Sequence, residues 1–218
     1  MTPERFRTLR AVLDRRQPDL TVLMDRVHKP HNFSAALRTC DAVGVLDAHL
    51  VPTDDFRPAH QTAGGSNRYV NVQRHGSLGD ALRTLRDDGM TVLAAHPAGD
   101  AVDFRAVDYT GPTAILLGTE LHGLSDDAAA AADRRVVIPM MGAAESLNVS
   151  VAAAVILYEA QRQRSEAGLY DGPRLDEERY RRTLFEWAYP RIADLCRRRG
   201  VEYPPLGEDG EILGELPR

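Results

Sequence analysis

The sequence predicts an α/β fold: a largely parallel sheet with flanking helices, plus terminal helices. Two observations carry this. Short β-branched or apolar runs alternate with segments of helical periodicity along most of the chain. Polar side chains also gather just after several of those runs, at the carboxyl ends of the strands, where open α/β sheets bind ligands.

In chain order, Pro3–Arg16 is helical, with Phe6, Leu9, Val12 and Leu13 on one stripe. Leu20–Met24 is a strand. Pro30 opens a helix that Gly44 closes, with Phe33, Leu37, Cys40 and Val43 as its apolar face. Val45–Val51 holds a strand, Thr62–Asn67 (TAGGSN) a turn, and Tyr69–Val72 a short strand. Leu78–Arg86 is helical, and Met90–Ala95 and Thr113–Leu117 are strands. Ser125 caps a helix whose first turn carries Asp126 and Asp127, favourable at the positive end of the dipole. Val136–Ile138 is the last strand. The helix that follows from about Asn148 is too apolar for an ordinary surface helix and is expected to be buried nearly all round, in a ligand pocket, a subunit interface or both. Arg174–Arg199 is a second helical stretch, broken near Pro190, and residues 204–218 are expected to be loosely held. The expected division is an arginine-rich helix at 1–19, a central domain at 20–167 and a helical extension at 168–218.

Composition bounds the function. At 218 residues the chain suits one domain with appendages. The first twenty residues hold five arginines and no apolar run, so no signal peptide is expected. The longest nearly apolar run, Val149–Tyr158, is far short of the ~20 residues of a membrane span. Cys40 and Cys196 are too few and too far apart for a disulfide framework or a zinc site, and Cys40 falls on a core stripe. A cytoplasmic protein with neither metal nor membrane partner is expected. Net charge is −5, yet residues 1–38 carry +4 and residues 159–199 carry +2, and Lys29 is the single lysine. Arginine in that proportion reflects a biased genome composition or suits bidentate phosphate contacts; charge alone leaves both open.

Three segments carry the polar residues at strand ends: Asn32 and Arg38 in NFSAALR, Gly118 and Glu120 in LLGTELHG, and Ile138, Ser146, Leu147 and Asn148 in IPMMGAAESLN. Neither the dinucleotide fingerprint G-x-G-x-x-G nor a P-loop occurs. Asn32 falls near the start of its helix, where it can cap. His31, Ser34 and Arg38 share a face away from Leu37 and Cys40, so Arg38 points off the apolar stripe. Ser146 and Asn148 either cap the following helix or face a substrate.

In order and spacing, NFSAALRTCDAVG, LLGTELHGLS and IPMMGAAESLNVSVAAAVILYE resemble the three signature motifs of the SPOUT-class RNA 2′-O-methyltransferases. The flanks RRQPDLTVLMDRVHKPHN, TAGGSNRY and YEAQRQRSEAGLY resemble the branch that acts on the D-loop guanosine of tRNA, from about Arg15 to Tyr170. The resemblance implies a carboxyl-terminal trefoil knot, a homodimer, and S-adenosylmethionine held by Ala95, Gly118, Ile138 and Leu147. It assigns the chemistry to Arg38, Asn32, Glu120, Ser146 and Asn148. The implied reaction is an in-line methyl transfer to a ribose 2′-oxygen. A guanidinium with a pKa above ~12 is a poor base, so Arg38 is read as holding a phosphate and stabilising the developing alkoxide. Arg7, Arg10, Arg15, Arg16, His31, Arg162, Arg164 and Arg174 are the expected tRNA contacts. The alternatives are a ribosomal-RNA ribose methyltransferase, a branch that usually carries an additional amino-terminal domain, and a non-catalytic RNA-binding protein on the same fold.

Overall fold

The computed structural model describes residues 1–53, 68–97, 99–119 and 123–214. The expected turn at Thr62–Asn67 and the candidate Glu120 lie outside them. Every residue of strands β1 (Leu20–Asp25) and β6 (Thr113–Leu117) is buried. Apolar runs of that kind suit strands covered on both faces, as in a parallel sheet. The other strands are β2 (Asp47–Val51), β3 (Asn71–Arg74), β4 (Thr91–Ala95), β5 (Val102–Asp103) and β7 (Arg134–Val137). They form one seven-stranded sheet in the order β3-β2-β1-β6-β4-β7-β5, and every pairing is parallel. Strand β3 starts two residues later than the sequence predicts. Strand β5 is not predicted, because two residues have no periodicity to read.

Alternation along the strands splits the core in two. Leu20, Val22, Met24, Ile115 and Leu117 face one layer, with Phe33, Leu37 and Cys40 of α2 (Pro30–Ala42) and Ala153, Ile156, Leu157 and Ala160 of α5 (Val149–Glu166). Leu23, Ala114 and Leu116 face the other, with Leu82 and Leu85 of α3 (Leu78–Asp87) and Ala128 and Ala129 of α4 (Asp126–Ala130). Each fully buried Leu or Ile contributes about 1.5–3 kcal/mol. Ser77 and Ser125 cap α3 and α4 by accepting from Asp80 N and Ala128 N.

Helix α5 is buried along one stripe in the single chain, with Val151 46 % and Tyr158 54 % exposed. Arg164, expected on the RNA surface, closes that stripe and is 0 % exposed. All five guanidinium N–H groups are used. Nε donates to Tyr109 O (2.8 Å), one terminal nitrogen to Gln17 Oε1 (3.0 Å) and Asp19 Oδ1 (2.7 Å), and the other to Asp19 O (3.0 Å) and Gly111 O (2.7 Å). Arg164 ties α5 to the amino-terminal approaches of β1 and β6, and no donor remains for a phosphate.

The chain forms two compact units, Gln17–Leu169 and Met1–Arg16 with Tyr170–Arg218. The two ends, expected as separate pieces, thus belong to one unit. In it α1 (Pro3–Leu13) joins α6 (Glu177–Ala188) and α7 (Pro190–Arg199). Tyr180 Oη donates to Asp14 Oδ1 at 2.6 Å, and Phe185 stacks on Tyr203 with centroids 4.8 Å apart. Arg16 is a further correction: it is 0 % exposed, with its guanidinium carbon 5.3 Å from the centre of the Trp187 ring, so it serves packing rather than an RNA surface. The tail is also more ordered than expected. Leu206 bridges Ile212, and Tyr189 Oη donates to Gly210 O at 2.7 Å. Among the described residues no helix is long and apolar enough to cross a membrane, and no cluster of three His, Cys, Asp or Glu can hold a metal.

Candidate active site

The sheet aligns the expected cofactor residues. Met24 of β1 pairs with Leu117 of β6, Leu116 with Ala94 of β4, and Ala95 with Val136 of β7. Ala95, Gly118 and Ile138 therefore stand in a row at the carboxyl ends of three adjacent strands, the ligand-binding edge of an open α/β sheet. Ala95 and Ile138 are half-buried against the core layer that holds α2 and α5. Leu147, also half-buried, immediately precedes the residue that caps α5.

Gly118 is buried where no other residue fits. A Cβ there would lie 2.2 Å from Gly123 C and O and 2.4 Å from Leu124 N. The chain after β6 doubles back, with Thr119 N–H donating to Gly123 O (2.9 Å) and Gly123 N–H to Thr119 O (3.0 Å). Gly123 has a φ of 65°, which favours glycine.

Helices α2 and α5 follow the carboxyl ends of β1 and β7, so both begin at the same edge. Asn32 lies in the first turn of α2 and is 5 % exposed; the capping position is Lys29, whose side chain makes no capping bond. Asn148 caps α5: its Oδ1 accepts from Ser150 N at 2.8 Å and from Ser150 Oγ at 2.7 Å. Its amide nitrogen donates to Asn32 Oδ1 at 3.2 Å. Asn148 thus caps α5 and reaches Asn32 as well, whereas Ser146 is exposed and caps nothing. Arg38 is exposed, and its guanidinium has no hydrogen bond or ion pair among the described residues. His31 is exposed as expected.

Two polar residues at this edge were not singled out from sequence. Asp25 ends β1; its Oδ1 is buried without a hydrogen-bond partner, and burial raises its pKa above the ordinary carboxylate value. His96 follows Ala95; its Nδ1 is likewise buried and unpaired, while Nε2 lies 3.8 Å from Asp126. Both stand at the carboxyl ends of predicted strands, and that position was the signal available.

Of the remaining expected RNA contacts, Arg162 is exposed but engaged by Glu159 (2.8 Å) and Glu166 (2.7 Å). Arg7, Arg10 and Arg15 are exposed and Arg174 half-buried, all in the terminal unit.

The model of the SpoU rRNA Methylase family matches residues 19–158, and that of the SpoU rRNA methylase carboxyl-terminal region matches 162–215. The chain belongs to the SpoU methylase family. Among SpoU relatives, it is 50 % identical over 215 residues to a tRNA (guanosine(18)-2′-O)-methyltransferase of Escherichia coli (strain K12), covering 97 % of this chain and 94 % of that one. It is 57 % identical over 187 residues to the enzyme of the same name from Thermus thermophilus, covering 85 % and 96 %. A solved A. aeolicus TrmH/SpoU tRNA-modifying enzyme superposes with a TM-score of 0.80 at 43 % identity, over 86 % of this chain and 96 % of that one. The SpoU methyltransferase AviRb of Streptomyces viridochromogenes, solved in complex with AdoMet, gives 0.62 at 32 % identity, over 68 % and 59 %.

Proposed function

We propose that this SpoU methylase transfers a methyl group from S-adenosylmethionine to the ribose 2′-hydroxyl of the D-loop guanosine, position 18, of tRNA. The observation that carries the reading is the Asn32–Asn148 hydrogen bond, which fixes the starts of α2 and α5 beside the row Ala95, Gly118 and Ile138. The half-buried Ala95, Ile138 and Leu147 suit the cofactor: they leave apolar surface at the strand ends that a flat adenine can cover, and Gly118 lets its backbone come close. When bound, S-adenosylmethionine supplies a methyl group already activated on a sulfonium. The protein's task is alignment and disposal of one proton.

Arg38, exposed and unengaged on α2, holds a substrate phosphate and stabilises the developing alkoxide, and the hydroxyl proton leaves to water or phosphate. Asn32 and Asn148 set the spacing of the two helix starts around the ribose. Ser146 faces the substrate, and Glu120 takes part in the chemistry. Arg7, Arg10, Arg15, Arg174 and His31 bind the RNA backbone, so affinity falls steeply with salt.

The exposed Val151, Tyr158 and Met141, the last at 93 %, support a homodimer built on the open face of α5 and the loop before it. The same reading includes a trefoil knot at the carboxyl end, supported by the family, and a cytoplasmic location, supported by the proposed tRNA substrate. The test is methyl transfer from labelled cofactor to tRNA and ribosomal-RNA transcripts, with the modified nucleoside mapped. Label at the D-loop guanosine is expected. Label confined to ribosomal RNA, or none, would overturn the proposal. Equilibrium sedimentation showing a stable monomer would remove the dimer.

A further inference from the structure

Among the described residues, Arg26 is the single non-glycine residue with positive φ, 54°. That conformation crowds Cβ against the backbone and favours glycine, then asparagine and aspartate. The turn itself has a backbone reason. Arg26 N–H donates to Val51 O at 2.9 Å, and Val27, the next residue, is fully buried, so the chain bends sharply on leaving β1. Glycine would meet that demand without strain. Arginine does not. Its side chain is exposed, and its guanidinium makes no hydrogen bond or ion pair among the described residues. Its charge acts on Asp25 less strongly than burial does, and the inner Asp25 oxygen stays unpaired. A strained residue whose side chain makes no bond within the described molecule is a candidate for contact with something outside it.

The surroundings select the chemistry of that partner. His28, Lys29, His31 and Arg38 are all exposed on the same connection and the helix that follows. The first turn of α2 contains no acidic residue, and Asp25, at the end of β1, is buried. The charge presented is positive, so the partner is an anion.

We infer that Arg26 grips an RNA phosphate beside the reacting ribose and acts as a substrate-positioning residue, on the connection that leads into the helix carrying Arg38. This rests on the tRNA methyltransferase reading. Arg26 binds the ribose–phosphate chain and makes no contact with the reacting atoms, so its removal weakens substrate binding more than turnover.

The test compares the wild-type protein with Arg26→Asn, which tolerates the backbone conformation and lacks the charge, and Arg26→Lys, which keeps the charge. tRNA affinity is measured across a salt series, alongside kcat, KM, cofactor affinity and thermal midpoint. For Arg26→Asn the expected result is a KM for tRNA raised about tenfold and kcat within about twofold of wild type. The slope of log affinity against log salt becomes shallower by about one. Cofactor affinity stays unchanged, the thermal midpoint is unchanged or higher, and Arg26→Lys recovers part of the binding. An Arg26→Asn protein with wild-type KM and salt slope overturns the inference, as does a loss of tRNA binding accompanied by falls in thermal midpoint and cofactor affinity. Failure of the wild-type protein to methylate tRNA defeats the underlying reading, whereas methylating wild type with an indistinguishable variant defeats the role of Arg26 alone.

Discussion

Asn148 binds Asn32 with one end of its amide and caps α5 with the other, so a single side chain sets both the start of a helix and its distance from a second helix. The two functions separate by substitution. Asn148→Ala loses the cap, about 1 kcal/mol, and the hydrogen bond to the buried Asn32, about 0.5–1.5 kcal/mol more. Asn148→Asp keeps a capping oxygen and loses the donor. Urea denaturation is expected to rank the stabilities wild type, then Asp, then Ala, with both variants impaired in methyl transfer. Equal stability of the two variants would count against the double role.

Arg162 and Arg164 sit two residues apart on α5 and should respond very differently. Arg162 is exposed between Glu159 and Glu166, and its replacement by Ala is expected to leave stability nearly unchanged. Arg164→Ala removes the donors to Asp19 Oδ1 and to the Gly111 and Tyr109 carbonyls, costing about 3–5 kcal/mol. Chemical denaturation of both proteins checks this.

His49 makes stability pH-dependent. Its imidazole is buried against His75, Nδ1 to Nε2 at 2.9 Å, and burial first, then His75, lowers its pKa to about 4. A base with a depressed folded pKa contributes stability that is complete above the unfolded value of about 6.5 and is lost as pH falls toward 4. The loss is roughly 3 kcal/mol across that window. His49→Gln is expected to flatten the denaturation free energy between pH 7 and pH 4; an unchanged slope would show that the ring is not held neutral.

Arg38→Ala should remove chemistry and spare the fold. Its side chain has no partner among the described residues, so the thermal midpoint stays within about 1–2 °C. On the proposed mechanism, loss of its charge lowers kcat by about 10²–10³, while calorimetry is expected to show cofactor affinity unchanged. Near-normal turnover would take Arg38 out of the reaction.

Gly118→Ala places a methyl 2.2 Å from the Gly123 backbone. The loop after β6 must open to admit it, so cofactor binding should fall at least tenfold. The sheet persists, because β6 itself is untouched. Cofactor titration with circular dichroism on the same sample separates the two effects.

The sheet was legible where burial covers both faces of a strand: β1 and β6 announce themselves as unbroken apolar runs. Strand β5 was not, since Val102 and Asp103 carry no pattern of their own and pair only because β7 lies beside them. Arg164 was misread for a different reason. Its spacing from Ile156, Leu157 and Ala160 places it on the buried stripe, but a charge there is explicable only once Asp19 and the carbonyls of Tyr109 and Gly111 have been brought to it by the fold. Among the candidate site residues, Gly118 and Ile138 stand at strand ends, as the sequence predicts. The Asn32–Asn148 bond could not be read, because it spans 116 residues and depends on two crossovers reaching the same edge.

That span has a consequence during synthesis. When β1, α2, β4 and β6 have all left the ribosome, Asn32 still waits for the Asn148 amide, because Asn148 and α5 come last among the elements of the central unit. A nascent chain can therefore hold much of its sheet before the proposed centre is complete, so the proposed activity begins only when the final helix emerges and docks.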